Sequence, residues 1–434
     1  MSDHIHHTSC SATTHGPRKL SEEERRRRRR RALFAYLVGD QRMQDYEIVD
    51  ALQKMFGISI ARSTVTRDLQ WARQEGWIVT RMGEGCPGRE ELEAVKQTAH
   101  FYGGLQHSLQ KRSEGTLKAL HVFWSGSRHS GAKAAAEGSL PTINHTASAE
   151  HDSGVPESDE AWDERLVRFA TRSAPTLSAL LAKAERIGVT FGRTIGANIE
   201  ALAEAKQGTR ASRSTPGVVP TSGEPLGGAR PEWASTDLAE RLSQILGGAP
   251  VPSLRGISPV IQEEFRGRDH AIVLRFIRGL RSFREVFGDD RTRGLVGQLD
   301  TVLTSAGSFG ERYHAFRNEY ARIPGLSRER MGELALGDLG GVVISKDGRF
   351  TKVQQKAFAA LRELWTGIRI EDFRRVSEAA KGNGHPGVIL SAIGAHKADL
   401  TLALTCRERL VNHLVIDETL AGRLSELLHL SKAA

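Results

Sequence analysis

Arginine, serine and threonine side chains cluster between residues 62 and 73, at a spacing suited to binding a polyanion. Arginine presents a planar fork of donors to phosphates or guanine edges, and serine and threonine hydroxyls can reach bases or backbone. Val65, Leu69 and Ala72 recur at helical spacing and predict the buried side of a helix. The residues left off that side are the candidate DNA contacts: Arg62, Ser63, Thr64, Thr66, Arg67 and Arg73.

Three further elements would position this helix. Apolar residues between 45 and 56 share one face of a predicted helix that ends at Gly57, and an earlier helix is predicted at about 28–37. A short strand at 77–81 leads into a glycine-rich turn at 83–85. The pattern predicts a winged helix-turn-helix, all-α with a small wing, over residues 25–85. A small helical bundle without DNA contact is the alternative, because surface helices commonly carry arginines.

A run of seven arginines, Arg25 to Arg31, precedes these helices. Ser21 and Glu24 have the spacing of a capping box, which predicts that a helix begins there. Arg25, Arg26 and Arg27 are therefore candidate phosphate contacts, and such contacts would make DNA affinity fall steeply with salt. The alternative is a solvated basic arm with no fixed partner. The formal net charge of +9 suits a polyanionic partner, although the run accounts for much of it.

Length and composition limit the protein class. The 434 residues are enough for two or three domains, and the three cysteines lack metal-ligand spacing. We expect no metal, cofactor or disulfide framework. No apolar stretch reaches the roughly 18 residues of a spanning helix, and no signal-peptide core is present, so we expect no membrane association and a cytoplasmic location. The predicted divisions are a disordered tail at 1–24, a helical connector at 86–115 and an α/β domain at 116–434, with a low-complexity insertion or linker at about 125–160.

A second candidate site lies in the α/β domain, at Ile187 to Thr194. An apolar strand there leads into Gly192, and Ile195, Ile199 and Leu202 follow at helical spacing. Backbone N–H groups at such a helix start have no intrahelical acceptor, and glycine lets an anion approach closely. The turn could hold a phosphate or a sugar oxygen. The alternative is a glycine placed there only for packing.

Two groups of motifs resemble known bacterial regulators. The segment Ser63 to Leu69, followed by Ala72-Arg73 and Glu75-Gly76, resembles the recognition helix of the DeoR and SorC families of sugar-responsive repressors. Ala61 stands where those families usually place a capping serine, which would cost the helix about 1 kcal/mol unless Ser59 caps it instead. Over residues 162–428 six ordered motifs resemble the SorC effector-binding domain; they lie at 218–224, 235–242, 299–308, 337–348, 393–397 and 410–418.

The resemblance implies a Rossmann-like α/β effector domain of the sugar-phosphate isomerase, deaminase and CoA-transferase type, which binds a phosphorylated sugar or related metabolite. In that family a glycine-rich turn and a lysine hold the ligand. The positions that match here, with the other expected ligand contacts, are Gly192, Arg193, Thr194, Gly223, Gly307, Asp338 and Lys397. Asp338 could instead form a turn, Gly307 could serve packing, and Lys397 could be an exposed helix residue. Residues 342–345 depart from the family pattern, which leaves the ligand's identity open.

The favoured interpretation is a transcription regulator whose operator binding a metabolite controls. A homodimer or homotetramer is expected, since two DNA-binding domains of one oligomer can bind the two halves of a palindromic site. Two alternatives remain. One is a sugar-phosphate isomerase or deaminase with an accessory DNA-binding module, for which Asp300, Asp338 and His396 are the nominated acid and base groups. The other is a regulator with a degenerate pocket that acts only through protein contacts.

Overall fold

The computed structural model describes residues 102–125, 159–206, 215–224, 233–248, 250–260, 270–289, 291–309, 328–346 and 351–430, together with Ala61 and Thr64. The chain divides into two compact units, Met1–His100 and Phe101–Ala434. In the first unit, Thr64 is helical and its amide donates to the carbonyl of Ala61 at 2.9 Å. Ala61 itself is not helical. The other candidate DNA contacts and the predicted wing lie outside the described residues.

Nine strands and eleven α-helices are assigned within the described part of the second unit. The strands are β1 Ala119–Phe123, β2 Arg186–Val189, β3 Gly217–Pro220, β4 Thr301–Thr304, β5 Ala306–Ser308, β6 Ala335–Leu339, β7 Val342–Ser345, β8 Gly387–Ala392 and β9 His413–Asp417. The helices are α1 at 102–112, α2 Asp159–Leu181, α3 Arg193–Lys206, α4 Ser235–Leu246, α5 His270–Gly279, α6 Arg281–Phe287, α7 Arg328–Leu334, α8 Lys352–Leu364, α9 Ile370–Gly382, α10 Ala398–Leu402 and α11 Glu418–Leu430.

Six strands form one parallel sheet in the order β1-β9-β8-β4-β2-β3. Its strands read as short apolar runs, which is typical of parallel strands covered on both faces. The predicted α/β class is confirmed, and all pairings within this sheet are parallel. Three short strands form a separate antiparallel sheet in the order β5-β6-β7, and β5 begins two residues after β4 ends.

Two hydrophobic cores lie on opposite faces of the parallel sheet. One core contains residues of α2, α3 and α4 against Ile187 and Val189, and the other contains residues of α1, α9 and α11 against Leu390 and Ile416. Helix α1 belongs to this domain core, because Leu105 and Leu109 are buried in it. A third cluster joins α8 to residues near the small sheet. Among the described helices, none is long and apolar enough to cross a membrane.

Candidate ligand site

The order of the parallel strands reverses between β2 and β4. From β2 the chain passes to β3 at one edge, and then crosses back to β4, β8 and β9 on the other side. In open α/β sheets, ligands bind in the crevice outside the carboxyl ends of the strands at such a reversal. The segments that leave these two strands begin at Thr190 and Ser305. The sheet topology therefore places the predicted glycine turn at the expected binding crevice.

Gly192 forms the turn between β2 and α3. Its φ of +124° lies in a region that side chains rarely adopt, and a Cβ atom there would lie 3.3 Å from the Ser305 hydroxyl oxygen. The Gly192 amide donates to the Trp233 carbonyl, and its own carbonyl accepts from the Gly196 amide, both at 3.0 Å. The turn is thus tied to two neighbouring segments. The first N–H groups of α3 have no intrahelical acceptors, so this end of the helix favours an anion.

Arg193, the first residue of α3, is held by one acidic and one aromatic neighbour. Its guanidinium group pairs with the Asp163 carboxylate and lies 5.3 Å from the ring centroid of Trp233. Its side chain is 18% exposed, so it lies near the surface of the crevice. Thr194 follows it and is buried. Both residues therefore start the helix at the carboxyl edge of the sheet.

Lys397 lies on the turn that follows β8. The turn Ala395–Lys397 is a short 3-10 helix that leads into α10. Only 4% of Lys397 is exposed, which contradicts the alternative of an exposed helix lysine. Its ammonium nitrogen lies 6.0 Å from the centroid of the Trp162 ring. A buried cation beside this edge is suited to an anionic ligand.

The start of α2 links the segment around Arg193 to the segment around Lys397. Trp162 contacts Lys397 and His396, whereas the next residue, Asp163, pairs with Arg193. Consecutive residues of one helix therefore contact both the Gly192 turn and the Lys397 turn. Strand β5, which carries Gly307, also contacts the turn Ala395–Lys397. The structure thus brings Gly192, Arg193, Thr194, Gly307 and Lys397 to one region.

Two other expected contacts have structural roles. The Asp338 carboxylate accepts a hydrogen bond from the Gly341 amide at 2.6 Å. Gly340 and Gly341 have φ values of +55° and +93° and form the two-residue turn between β6 and β7, so Asp338 stabilises a hairpin turn. At Gly223 a Cβ atom would collide with the backbone carbonyl of Ile257. Gly223 is therefore required for close packing, whether or not a ligand lies nearby.

The nominated acid and base groups do not converge. Asp300 precedes β4 and accepts from the Glu185 and Arg186 amides at 3.0 and 2.7 Å, at the amino edge of the sheet. Four residues of strand separate it from the carboxyl edge, a distance of about 13 Å. His396 contacts Trp162 beside Lys397. Because Asp300 lies at the opposite edge, it cannot act on a ligand held by the Gly192 turn.

Several residues of this region were not among the predicted contacts. They are Ser305, Trp162, Asp163, Trp233 and Asp417. Asp417 ends the buried strand β9 and its carboxylate accepts from the Gly394 amide at 3.0 Å. A carboxylate directly after an apolar run at a strand end was the sequence signal for it. The described residues hold no cluster of three or more His, Cys, Asp or Glu side chains suited to a metal ion.

Charged and polar groups also crowd the end of β9. Burial raises the pKa of Glu418, and the neighbouring Asp417 raises it further. Burial, followed by the charges of Glu418 and Asp417, raises the pKa of Tyr102 to about 12. Tyr102 is the first described residue of α1. Tyr102 is therefore electrostatically coupled to the end of β9, where Asp417 accepts from the Gly394 amide.

The chain is similar to several solved structures of transcription regulators. The full-length sorbitol operon regulator SorC from Klebsiella pneumoniae is 18% identical with a TM-score of 0.49, covering 92% of this chain and 98% of that one. A DeoR family transcriptional regulator from Listeria monocytogenes is 15% identical with a TM-score of 0.47, covering 74% and 99%. A domain of a possible sugar-binding transcriptional regulator from Arthrobacter aurescens is 18% identical with a TM-score of 0.45, covering 74% and 97%.

Two of these structures are named as SorC and as a DeoR family regulator, which are the families that the sequence motifs resemble. No protein-family model matches the chain, and no curated protein matches its sequence.

Proposed function

We propose that this protein is a transcription regulator whose operator binding is controlled by a phosphorylated sugar or related metabolite. The ligand would bind at the carboxyl edge of the parallel sheet, and the winged helix-turn-helix at residues 25–85 would bind DNA. One observation carries the proposal: Trp162 and Asp163, consecutive in the chain, contact the turns that hold Lys397 and Arg193. Two cationic side chains and the start of α3 therefore lie against the first turn of α2 at the carboxyl edge of the sheet.

The chemistry of this region favours a phosphate over a neutral sugar. The start of α3 supplies backbone donors and the positive end of a helix dipole, and Gly192 leaves room for close approach. Lys397 adds a buried positive charge from the turn that follows β8. A neutral sugar would satisfy hydrogen bonds here but would leave the favourable charge interaction unused. We infer that a phosphate group anchors the ligand and that the rest of the molecule extends along the edge.

Regulation requires that the ligand distinguish two states of the protein. A metabolite shifts only an equilibrium between forms that it binds with different affinity. In the proposed mechanism these forms differ in how they present two DNA-binding heads to successive half-sites of one operator. A homodimer or homotetramer is therefore part of the proposal. Helix α1, which follows the first unit in the chain, packs in the domain core close to Glu418.

The test uses the full-length protein and DNA selected by it from a random library. Binding to the selected site is measured by mobility shift against a panel of phosphorylated sugars, with each unphosphorylated parent sugar as the matched control. We expect at least one phosphorylated sugar to change operator affinity by about tenfold, which corresponds to about 1.4 kcal/mol of coupling. The parent sugars should have no effect. Recovery of no preferred DNA sequence would contradict the regulator proposal.

A further inference from the structure

A buried carboxylate links the Lys397 turn to the rest of the domain. Asp417 is 0% exposed, and its Oδ1 atom accepts from the Gly394 amide at 3.0 Å and from the Leu420 amide at 3.1 Å. The second bond caps α11. Its Oδ2 atom pairs with Arg165 and accepts from the hydroxyl groups of Ser125 at 3.2 Å and Thr419 at 2.9 Å. One side chain therefore joins β9, α2, α11 and the turn after β8.

Gly394 is held on both sides by this arrangement. Its amide donates to Asp417, and its carbonyl accepts from the Lys397 amide at 3.1 Å. Its φ of +95° suits glycine, and a Cβ atom there would lie 3.3 Å from the Trp162 ring. The position of Asp417 therefore determines where the Gly394 turn begins. Lys397 closes that turn, so its location depends on the same contact.

Arg165 keeps this carboxylate in place. Its side chain is 13% exposed, and its guanidinium group contacts Asp417 and Thr419. The Arg165 Nε atom also donates to the Ser125 hydroxyl oxygen at 3.0 Å. The same guanidinium lies 5.7 Å from the Trp162 ring centroid, and the Lys397 ammonium lies 6.0 Å from it. Removal of Arg165 would leave a buried charge without its cationic partner, and the carboxylate would then rearrange.

We propose that Asp417, held by Arg165, is the positioning residue of the Gly394 to Lys397 turn and so sets the affinity of the site for a phosphate group. The inference rests on the proposed function for the identity of the ligand. The positioning itself is a property of the free protein. Neither residue needs to touch the ligand, because both act through the Gly394 backbone.

The experiment compares Arg165→Gln with Arg172→Gln, in which an arginine of the same helix that bonds the Trp124 carbonyl, and not Asp417, loses its charge. Hydrogen exchange in the free, full-length protein is followed by mass spectrometry for the peptide covering 393–400. Arg165→Gln should exchange at least tenfold faster in that peptide, with the interior of α11 unchanged, and Arg172→Gln should match the wild type. Arg165→Lys retains the charge but not the planar fork, so it should show a smaller increase. If Arg165→Gln fails to fold, the exchange rate of Arg165→Lys tests the proposal in its place.

Binding of inorganic phosphate to the same variants is measured by the quenching of tryptophan fluorescence. Arg165→Gln should bind about tenfold more weakly, Arg165→Lys should recover part of the loss, and Arg172→Gln should be unaffected. Unchanged exchange at 393–400 in Arg165→Gln would overturn the positioning role. If the wild type fails to bind phosphate or any phosphorylated sugar, the proposed function fails instead, and the exchange measurement still decides the role of Asp417.

Discussion

The Thr190 hydroxyl group hydrogen-bonds to that of Thr304 at 3.2 Å, and both residues are fully buried. Thr190 follows β2 and Thr304 ends β4, so this bond joins the two strands between which the sheet order reverses. The segments beyond it carry Gly192 and Ser305. The bond therefore holds together the two sides of the proposed ligand crevice. Neither hydroxyl is exposed to bulk water, which makes their mutual bond the more important for stability.

Gly192→Ala should lower both stability and ligand affinity. An alanine at a φ of +124° is strained, and its methyl group would press against Ser305 at 3.3 Å. We expect a loss of about 1–3 kcal/mol in the free energy of unfolding, measured by urea denaturation. Gly422→Ala is the matched control, since nothing lies within 4 Å of a Cβ atom there. That helical substitution should be neutral or stabilising. Equal stabilities for the two variants would show that the Gly192 conformation is not required.

A pair of stacked histidines should make the domain sensitive to acid. His121 and His413 have ring centroids 5.8 Å apart, and burial lowers the pKa of His121 to about 4. Burial, followed by the charges of His121, Lys118 and Lys183, lowers the pKa of His413 to about 3. The ordinary value is about 6.5, so between pH 6.5 and 4 the unfolded chain binds protons that the folded chain does not. The free energy of unfolding therefore falls as pH decreases through this window.

His413→Phe should halve the contribution of this pair to the pH dependence. Each histidine contributes a slope of about 1.4 kcal/mol per pH unit in the window, and phenylalanine preserves the stacked ring without titrating. Urea denaturation at pH 6.5, 5.5 and 4.5 measures the slope. His107→Gln replaces an exposed histidine on α1 and should leave the slope unchanged. A slope in His413→Phe equal to that of the wild type would contradict the assignment.

Arg67→Ala tests the predicted recognition helix. If Arg67 binds a base edge, its removal should weaken binding to the selected operator by about 1–3 kcal/mol and relax the preference at one position. Binding to unrelated DNA should change little. Affinity is measured by mobility shift on the operator and on single-position variants of it. An unchanged footprint and unchanged preferences would remove Arg67 from the recognition role.

Replacement of the arginine run, Arg25 to Arg31, by glutamines tests a different kind of interaction. These side chains are predicted to bind phosphates, so the variant should bind all DNA sequences more weakly and to a similar degree. The slope of log affinity against log salt should become shallower by about 0.9 for each phosphate that the variant no longer neutralises. DNA titrations at four salt concentrations determine this slope for the wild type and the variant. Identical slopes for both proteins would show that the run does not bind phosphates.

Local patterns predicted the elements of the site better than its internal contacts. The strand, glycine turn and helix around Gly192 were predictable because each depends on neighbouring residues: Ile187 and Val189 are buried in β2, and Ile195 and Ile199 face the core from α3. The short apolar run with Leu120, Val122 and Phe123 likewise forms a strand, β1 at Ala119–Phe123. Periodicity and glycine placement carry such information within one segment.

Contacts between distant segments were not predictable from spacing. Arg165 and Asp417 lie 252 residues apart in the chain and meet only because α2 begins near the edge of the sheet at which β9 ends. The contact between Trp162 and Lys397 has the same origin. Asp338 was a predicted ligand contact, whereas the Gly340-Gly341 pair beside it already indicated a hairpin turn. The order of the strands, which decides where the crevice lies, requires the folded structure.

The central claim is that Lys397 and the Gly192 turn hold a phosphorylated metabolite. Thermal unfolding of the wild type, Lys397→Met and Lys381→Met is measured with each phosphorylated sugar of the panel, where Lys381 is a lysine on the surface of α9. At a ligand concentration about 100-fold above Kd, the wild type and Lys381→Met should gain about 2.7 kcal/mol of stability. Lys397→Met should gain almost none while still binding operator DNA. Equal stabilisation of all three proteins would contradict the claim.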